Sequence, residues 1–135
     1  MNPGIPESAR FFILLGGINA ALAVTFGAFG AHGLKSRITT DMLEVFNTGV
    51  QYHLYHALGL LAIGLLLLHQ PSSVWLKRAG WIMLTGIVFF SGSLYLLAVT
   101  GIRWLGMVTP IGGTAFIASW ILLFTAVLRK QGTGH

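Results

Sequence analysis

Four apolar stretches, at residues 9–31, 41–68, 79–99 and 110–128, follow one another with only short polar connections between them. A helix needs roughly 20 apolar residues to cross the hydrocarbon of a bilayer. Lipid offers no hydrogen bonds, so the backbone of each stretch must satisfy itself, and a helix does that within one segment. Composition points the same way. The chain is 55% apolar and 8% charged, with mean hydropathy +0.80, whereas a soluble domain carries about 25% charged residues. So few charges cannot dress a water-facing surface. The expectation is an all-α membrane protein: a single domain over residues 1–135 whose four transmembrane helices form a compact bundle. Almost nothing is left for a soluble catalytic domain.

The net charge of +5 and the pI near 10.3 do not point to nucleic acid, because the basic residues are badly placed for it. Arg10, Lys77, Arg78, Arg129 and Lys130 all flank apolar stretches, where they suit anionic headgroups and set topology. The N-terminus, second connection and C-terminus share one side and carry these five. The first and third connections carry Lys35, Arg37 and Arg103. By the positive-inside rule both termini are expected in the cytoplasm. Without cysteine there is no disulfide, thiol nucleophile or cysteine-held metal. Arg10, the first apolar run and the small residues near Ala28 and Gly30 imitate a secretory signal. The run is longer than the 7–15 residues of such a signal, so a retained span is expected.

In the first span Gly16, Ala20, Ala23, Gly27 and Gly30 recur at steps of three and four, a stripe that lets a neighbouring helix approach closely. Gly112 and Gly113 offer the same in the fourth. Asp41 and Glu44 stand like the two members of a capping box. A helix from there to Leu68 would be about 42 Å long and would overshoot the hydrocarbon. Lys77–Arg78 precede the third span, Thr109–Pro110 read as an N-cap and first helical residue of the fourth, and the tail from Arg129 is expected to fray. Trp75, Trp81 and Trp104 fall near span ends, as interfacial indoles do. Trp120, in mid-span, is expected to pack between helices.

Polar groups within a bilayer are expensive and are functional candidates by default. Here they gather toward the end of the bundle formed by the first and third connections: His32, Tyr52, His53, His56, Ser91, Ser93, Tyr95 and Thr109, with Asn19 deeper. Gly49, Tyr52, His53, His56, Gly59 and Ile63 share one helix face, and Gln51 and Tyr55 the adjacent one. His56 is too deep to reach water and needs a partner in the bundle, for which Ser91 and Tyr95 are the expected candidates. Two readings stay open: a ligand pocket for a headgroup, quinone or other small molecule, or a set of interhelical hydrogen bonds that fix register. Haem held between His32 and His56 is a further alternative, without any local sequence signature. No other metal site is expected, since there is no H-E-x-x-H and the acids Glu7, Asp41 and Glu44 fall outside the core. Ser91-Gly92-Ser93 lacks the G-x-S-x-G pattern of a serine nucleophile, and ion transport would need more ionisable residues at the midplane.

The segments Gly27–Leu34 (GAFGAHGL), Gln51–Leu58 (QYHLYHAL), Phe90–Tyr95 (FSGSLY) and Thr109–Gly113 (TPIGG), with Trp120, resemble the domain-of-unknown-function 423 group, also called UPF0382. That group is similar to the mitochondrial transmembrane protein 256. The resemblance covers essentially the whole chain and implies a four-helix, multi-pass protein of the bacterial inner membrane, with no catalytic or binding residues to carry over. The expected function is therefore a non-enzymatic accessory or lipid-associated role. The alternative is a ligand-, quinone- or haem-binding protein that uses the polar cluster. Membrane lipids are the expected partners, a homo-oligomer or larger membrane complex is open, and nucleic acid is not expected.

Overall fold

The computed structural model describes residues 4–131, with side chains as far as Arg129. Among these residues every regular element is helical. Helix α1 (Glu7–Phe29) runs on into a π-helical turn at Gly30–Leu34, and α2 (Thr40–His69) follows. Helix α3 (Val74–Gly86), a second π-turn (Ile87–Ser91) and α4 (Gly92–Thr100) make one continuous span. After a 3₁₀ turn at Arg103–Met107 comes α5 (Thr109–Gln131). Four helical segments are long and apolar enough to cross a membrane: Glu7–Leu34, Thr40–His69, Val74–Thr100 and Arg103–Arg129.

The helix ends differ from the expected ones for local reasons. Thr39, not Asp41, caps α2: its hydroxyl accepts the Met42 N–H at 3.2 Å, and the helix starts one residue earlier. Ser73 caps α3 through the Leu76 N–H, so Lys77 and Arg78 stand inside the helix rather than before it. Thr109 does not cap α5: the helix begins at Thr109 itself, the Gly112 N–H bonds Val108 O, and the Thr109 hydroxyl lies 2.6 Å from that of Ser93. The tail after Gln131, where fraying was expected, lies outside the described residues. At 30 residues, α2 is about 45 Å long and exceeds the hydrocarbon thickness.

The chain runs up and down, and glycines show how closely the helices meet. A Cβ on Gly16 would lie 2.7 Å from Leu61 N and 2.9 Å from Ala57 O, and one on Gly64 would lie 2.7 Å from Ile13 N. Further along, Gly27 faces Val50 and Gly30 faces Phe46. Rising numbers on α1 meet falling numbers on α2, so the pair is antiparallel, and between Gly16 and Gly64 it packs backbone to backbone. The buried residues of α1, Ala9, Phe12, Gly16, Asn19 and Ala23, alternate steps of three and four. That is the seam of a left-handed helix pair. Ala20 and Gly27 are only half-buried at its edge.

Helix α1 packs chiefly on α2, and α5 chiefly on α3 and its π-turn. The second and third spans are thus the inner pair. Gly86 abuts the Phe116 ring, and a Cβ on Gly112 would collide with the Phe90 backbone. At the Glu7 and His69 end the core is aliphatic and aromatic: Phe12, Leu60, Ile63, Leu67, Leu76 and Met83. Toward the other end the bundle is polar and aromatic.

Candidate functional site

Two histidines one turn apart on α2 organise that half of the bundle. His53 joins three spans. Its Nε2 lies 3.0 Å from Asn19 Oδ1, and its Nδ1 lies 2.9 Å from the Tyr95 hydroxyl. Asn19 Nδ2 donates back to Leu15 O at 2.9 Å, leaving Oδ1 as an acceptor. His53 therefore carries its proton on Nε2 and accepts from Tyr95 on Nδ1. His56 has the opposite tautomer. Its Nδ1–H donates to the Tyr52 carbonyl at 2.7 Å, and its Nε2 accepts the Trp120 indole N–H at 3.0 Å. A carbonyl can only accept and an indole can only donate, so this assignment is forced for the neutral ring.

The remaining expected residues divide. Ser91, fully buried, donates to Gly49 O at 2.7 Å and ties the third span to α2. Ser93 bonds Phe90 O at 2.9 Å as well as Thr109. Ser91 and Tyr95 were expected to face His56. Instead Tyr95 reaches His53, wedged between Phe26 and Phe46 at 4.9 and 5.0 Å, while Ser91 reaches the backbone. His32 takes no part: it is exposed in the π-turn beyond α1. Gly30 lies opposite Phe46, and His56 is about 15 Å farther along α2 than Phe46. With both His56 nitrogens engaged as well, the structure does not bring His32 and His56 together as a ligand pair. Gln51 and Tyr55 point away from the bundle and are exposed. No group of three or more His, Cys, Asp or Glu that could hold a metal ion is found among the described residues.

Around His56 the sequence reading missed most of the environment. The imidazole stacks on Phe116 with centroids 3.5 Å apart and planes 9° from parallel. Tyr52 sits 4.6 Å from Phe90. Between α2 and α5 these rings leave a groove of about 410 Å³, lined by Tyr52, His56, Phe90, Gly113, Phe116, Ile117 and Trp120. The groove exists because α2 and α5 touch through side chains rather than backbone. Gly113, expected at a close helix contact, borders this open space, and a Cβ there would come no nearer than 3.8 Å to Phe90. Trp120 and Ile117 are exposed on its outer side, so it opens to the lipid. A signal was present: Tyr52 and His56 on one helix, and Phe116 and Trp120 on another, are matching pairs four residues apart. Which pair met which was not in the sequence.

The family model for proteins of unknown function DUF423 matches residues 26–113, which include the first π-turn, both histidines, the second π-turn and the start of α5. The chain belongs to the DUF423 family. Among curated relatives it is 53% identical over 120 residues to the UPF0382 membrane protein YwdK of Bacillus subtilis, covering 89% of this chain and 98% of that one. It is 49% identical over 120 residues to a UPF0382 membrane protein of Staphylococcus saprophyticus, with 89% and 98% covered. For a Staphylococcus epidermidis relative the figures are 47% over 123 residues, 91% and 99%. These DUF423 relatives are bacterial and are named as membrane proteins, in agreement with four spanning helices here. No solved structure gives a significant match.

Proposed function

We propose that this DUF423 protein is a non-enzymatic, lipid-associated protein of the bacterial inner membrane whose groove between α2 and α5 holds a flat apolar molecule drawn from the bilayer. The observation that carries this reading is the lining of the groove. Five of its seven residues are aromatic rings, counting His56, and its volume of about 410 Å³ falls in the range of small-molecule sites. The ring nitrogens of His56 and the indole N–H of Trp120 are already paired with each other or with backbone. Among the described residues no carboxylate lines it. Such a wall binds and orients but has no free acid or base with which to react.

One polar atom remains. The Tyr52 hydroxyl bonds no other described residue, and Tyr52 is 39% exposed on the lipid side. A phenol O–H in hydrocarbon needs an acceptor. The best-fitting occupant is therefore a planar lipid with a carbonyl acceptor, of which quinones, with two, are the common class, with Tyr52 as donor to one carbonyl and Phe90 and Phe116 as stacking faces.

The test is saturable quenching of tryptophan fluorescence by a short-chain quinone in nanodiscs. Wild type should show it and Trp120→Phe should lose most of it. Gly113→Leu, which fills the groove without meeting backbone, should abolish saturation while the protein stays folded. Tyr52→Phe should weaken binding about tenfold, in line with about 1.4 kcal/mol for one hydrogen bond. Unsaturable quenching that is equal in wild type and Gly113→Leu would sink the proposal.

A further inference from the structure

At the opposite end of the bundle, the cation–π contacts among the described residues converge on one indole. The Arg129 guanidinium lies 4.5 Å from the Trp75 ring centroid and that of Arg78 lies 5.5 Å away. Trp75 is half-buried against the main core cluster, so the ring is a fixed platform for two mobile side chains. Beside it a cavity of about 500 Å³ is lined by His69, Gln70, Ser72, Ser73, Trp75 and Arg129, among others.

The charges here are unbalanced. The chain has three acidic side chains. Asp41 and Glu44 lie in the first turns of α2, about 38–42 Å from His69 along that helix. Glu7 lines the adjoining cavity, which shares Pro71 with this one, beside Lys77 and Trp81. Among the described residues no carboxylate lines the cavity beside Trp75. A guanidinium held by its face leaves its N–H edge free, and that edge matches the oxygens of a phosphate. The depth is that of headgroups, at the last turn of α2, the first of α3 and the last of α5. Deeper along α2 and α5 the surface is apolar, with Leu65 and Phe124 exposed where acyl chains would lie.

We infer that Arg78 and Arg129, displayed on Trp75, form a binding site for the phosphodiester headgroup of an anionic phospholipid. The site is separate from the groove between α2 and α5 and does not depend on what occupies it.

Native mass spectrometry in mild detergent, with phosphatidylglycerol and phosphatidylcholine added in equal amounts, tests this. Wild type should retain one phosphatidylglycerol with at least a fivefold preference. Arg78→Gln with Arg129→Gln should bring the ratio near one. Arg78→Lys with Arg129→Lys, which keeps both charges and hence the fold but lacks the planar fork, should lose more than half of it. Lys35→Gln with Arg37→Gln at the other end, and Gly113→Leu, should leave it unchanged. Retention of the preference in the lysine pair and in a glutamine pair that unfolds at the wild-type temperature would overturn the assignment. So would displacement of the lipid by millimolar inorganic phosphate, because the ligand would then be a soluble anion.

Discussion

Glycine is the residue on which this bundle depends most, but its glycines are not equivalent. In lipid there is little hydrophobic drive between helices, and packing comes from close approach. A Cβ on Gly16 would meet the backbone of Ala57 and Leu61, and one on Gly112 the backbone of Phe90. Neither neighbour can yield. Gly27 meets only the side chain of Val50, and Gly30 those of Phe46 and Asn47, which can turn aside. Gly17, one residue from Gly16, meets nothing within 4 Å. Gly16→Ala and Gly112→Ala should each destabilise by about 1–3 kcal/mol, the usual cost of overpacking, seen as a lower midpoint of thermal unfolding in detergent. Gly17→Ala should be neutral or slightly stabilising, since alanine is the better helix former. An unchanged midpoint for both Gly16→Ala and Gly112→Ala would contradict the packing described.

Among the elements, the π-turn at Ile87–Ser91 decides how the third span meets its neighbours. A π-turn is one extra residue inside an α-helix, and such turns are frequent at functional sites. Here it sets the rotation of α4 relative to α3. Met83 on one side and Ser91 and Tyr95 on the other then face α2 together, against Gly59 and Gly49. It also presents the Phe90 backbone to Gly112 and its ring to the groove. An alanine inserted after Val88, which is 59% exposed, adds a residue beyond the one that the π-turn absorbs. Continued as α-helix, it should turn α4 by about 100° relative to α3. The Tyr95–His53 and Ser91–Gly49 bonds would break, each worth about 0.6 kcal/mol in a membrane, and buried polar atoms would be orphaned. The expected outcome is a protein that inserts but unfolds well below wild type. If the insertion variant is as stable as Val88→Ala, the rotation set at the π-turn has no such role.

For the whole molecule, three layers follow one another along the bundle axis: a basic and indole-bearing end, an aliphatic middle and a polar, aromatic half. The basic end holds Arg10, Lys77, Arg78 and Arg129, and we propose from the positive-inside rule that this end faces the cytoplasm. A C-terminal green fluorescent protein fusion should then be bright and a C-terminal alkaline phosphatase fusion inactive in a bacterial host. The reverse pattern would invert the topology and place the Trp75 arginines in the outer leaflet.

Four spans and the clustering of polar residues in one half were legible because they depend on sequence-local quantities. Hydrophobic length against bilayer thickness is one, and the periodic placement of small and polar residues on a helix face is the other. The same locality set the limit. Thr39 and Ser73 took the caps because their hydroxyls reached free N–H groups, a contest among nearby residues that Asp41 entered and lost. The partners of His53 and His56 were beyond reach. They depend on the axial register between helices 34 to 64 residues apart in sequence and on a π-turn that rotates one half-span. Tertiary structure alone paired Asn19 and Tyr95 with His53 and Trp120 with His56. It excluded His32, and it opened the groove where α2 and α5 stand too far apart for their backbones to meet.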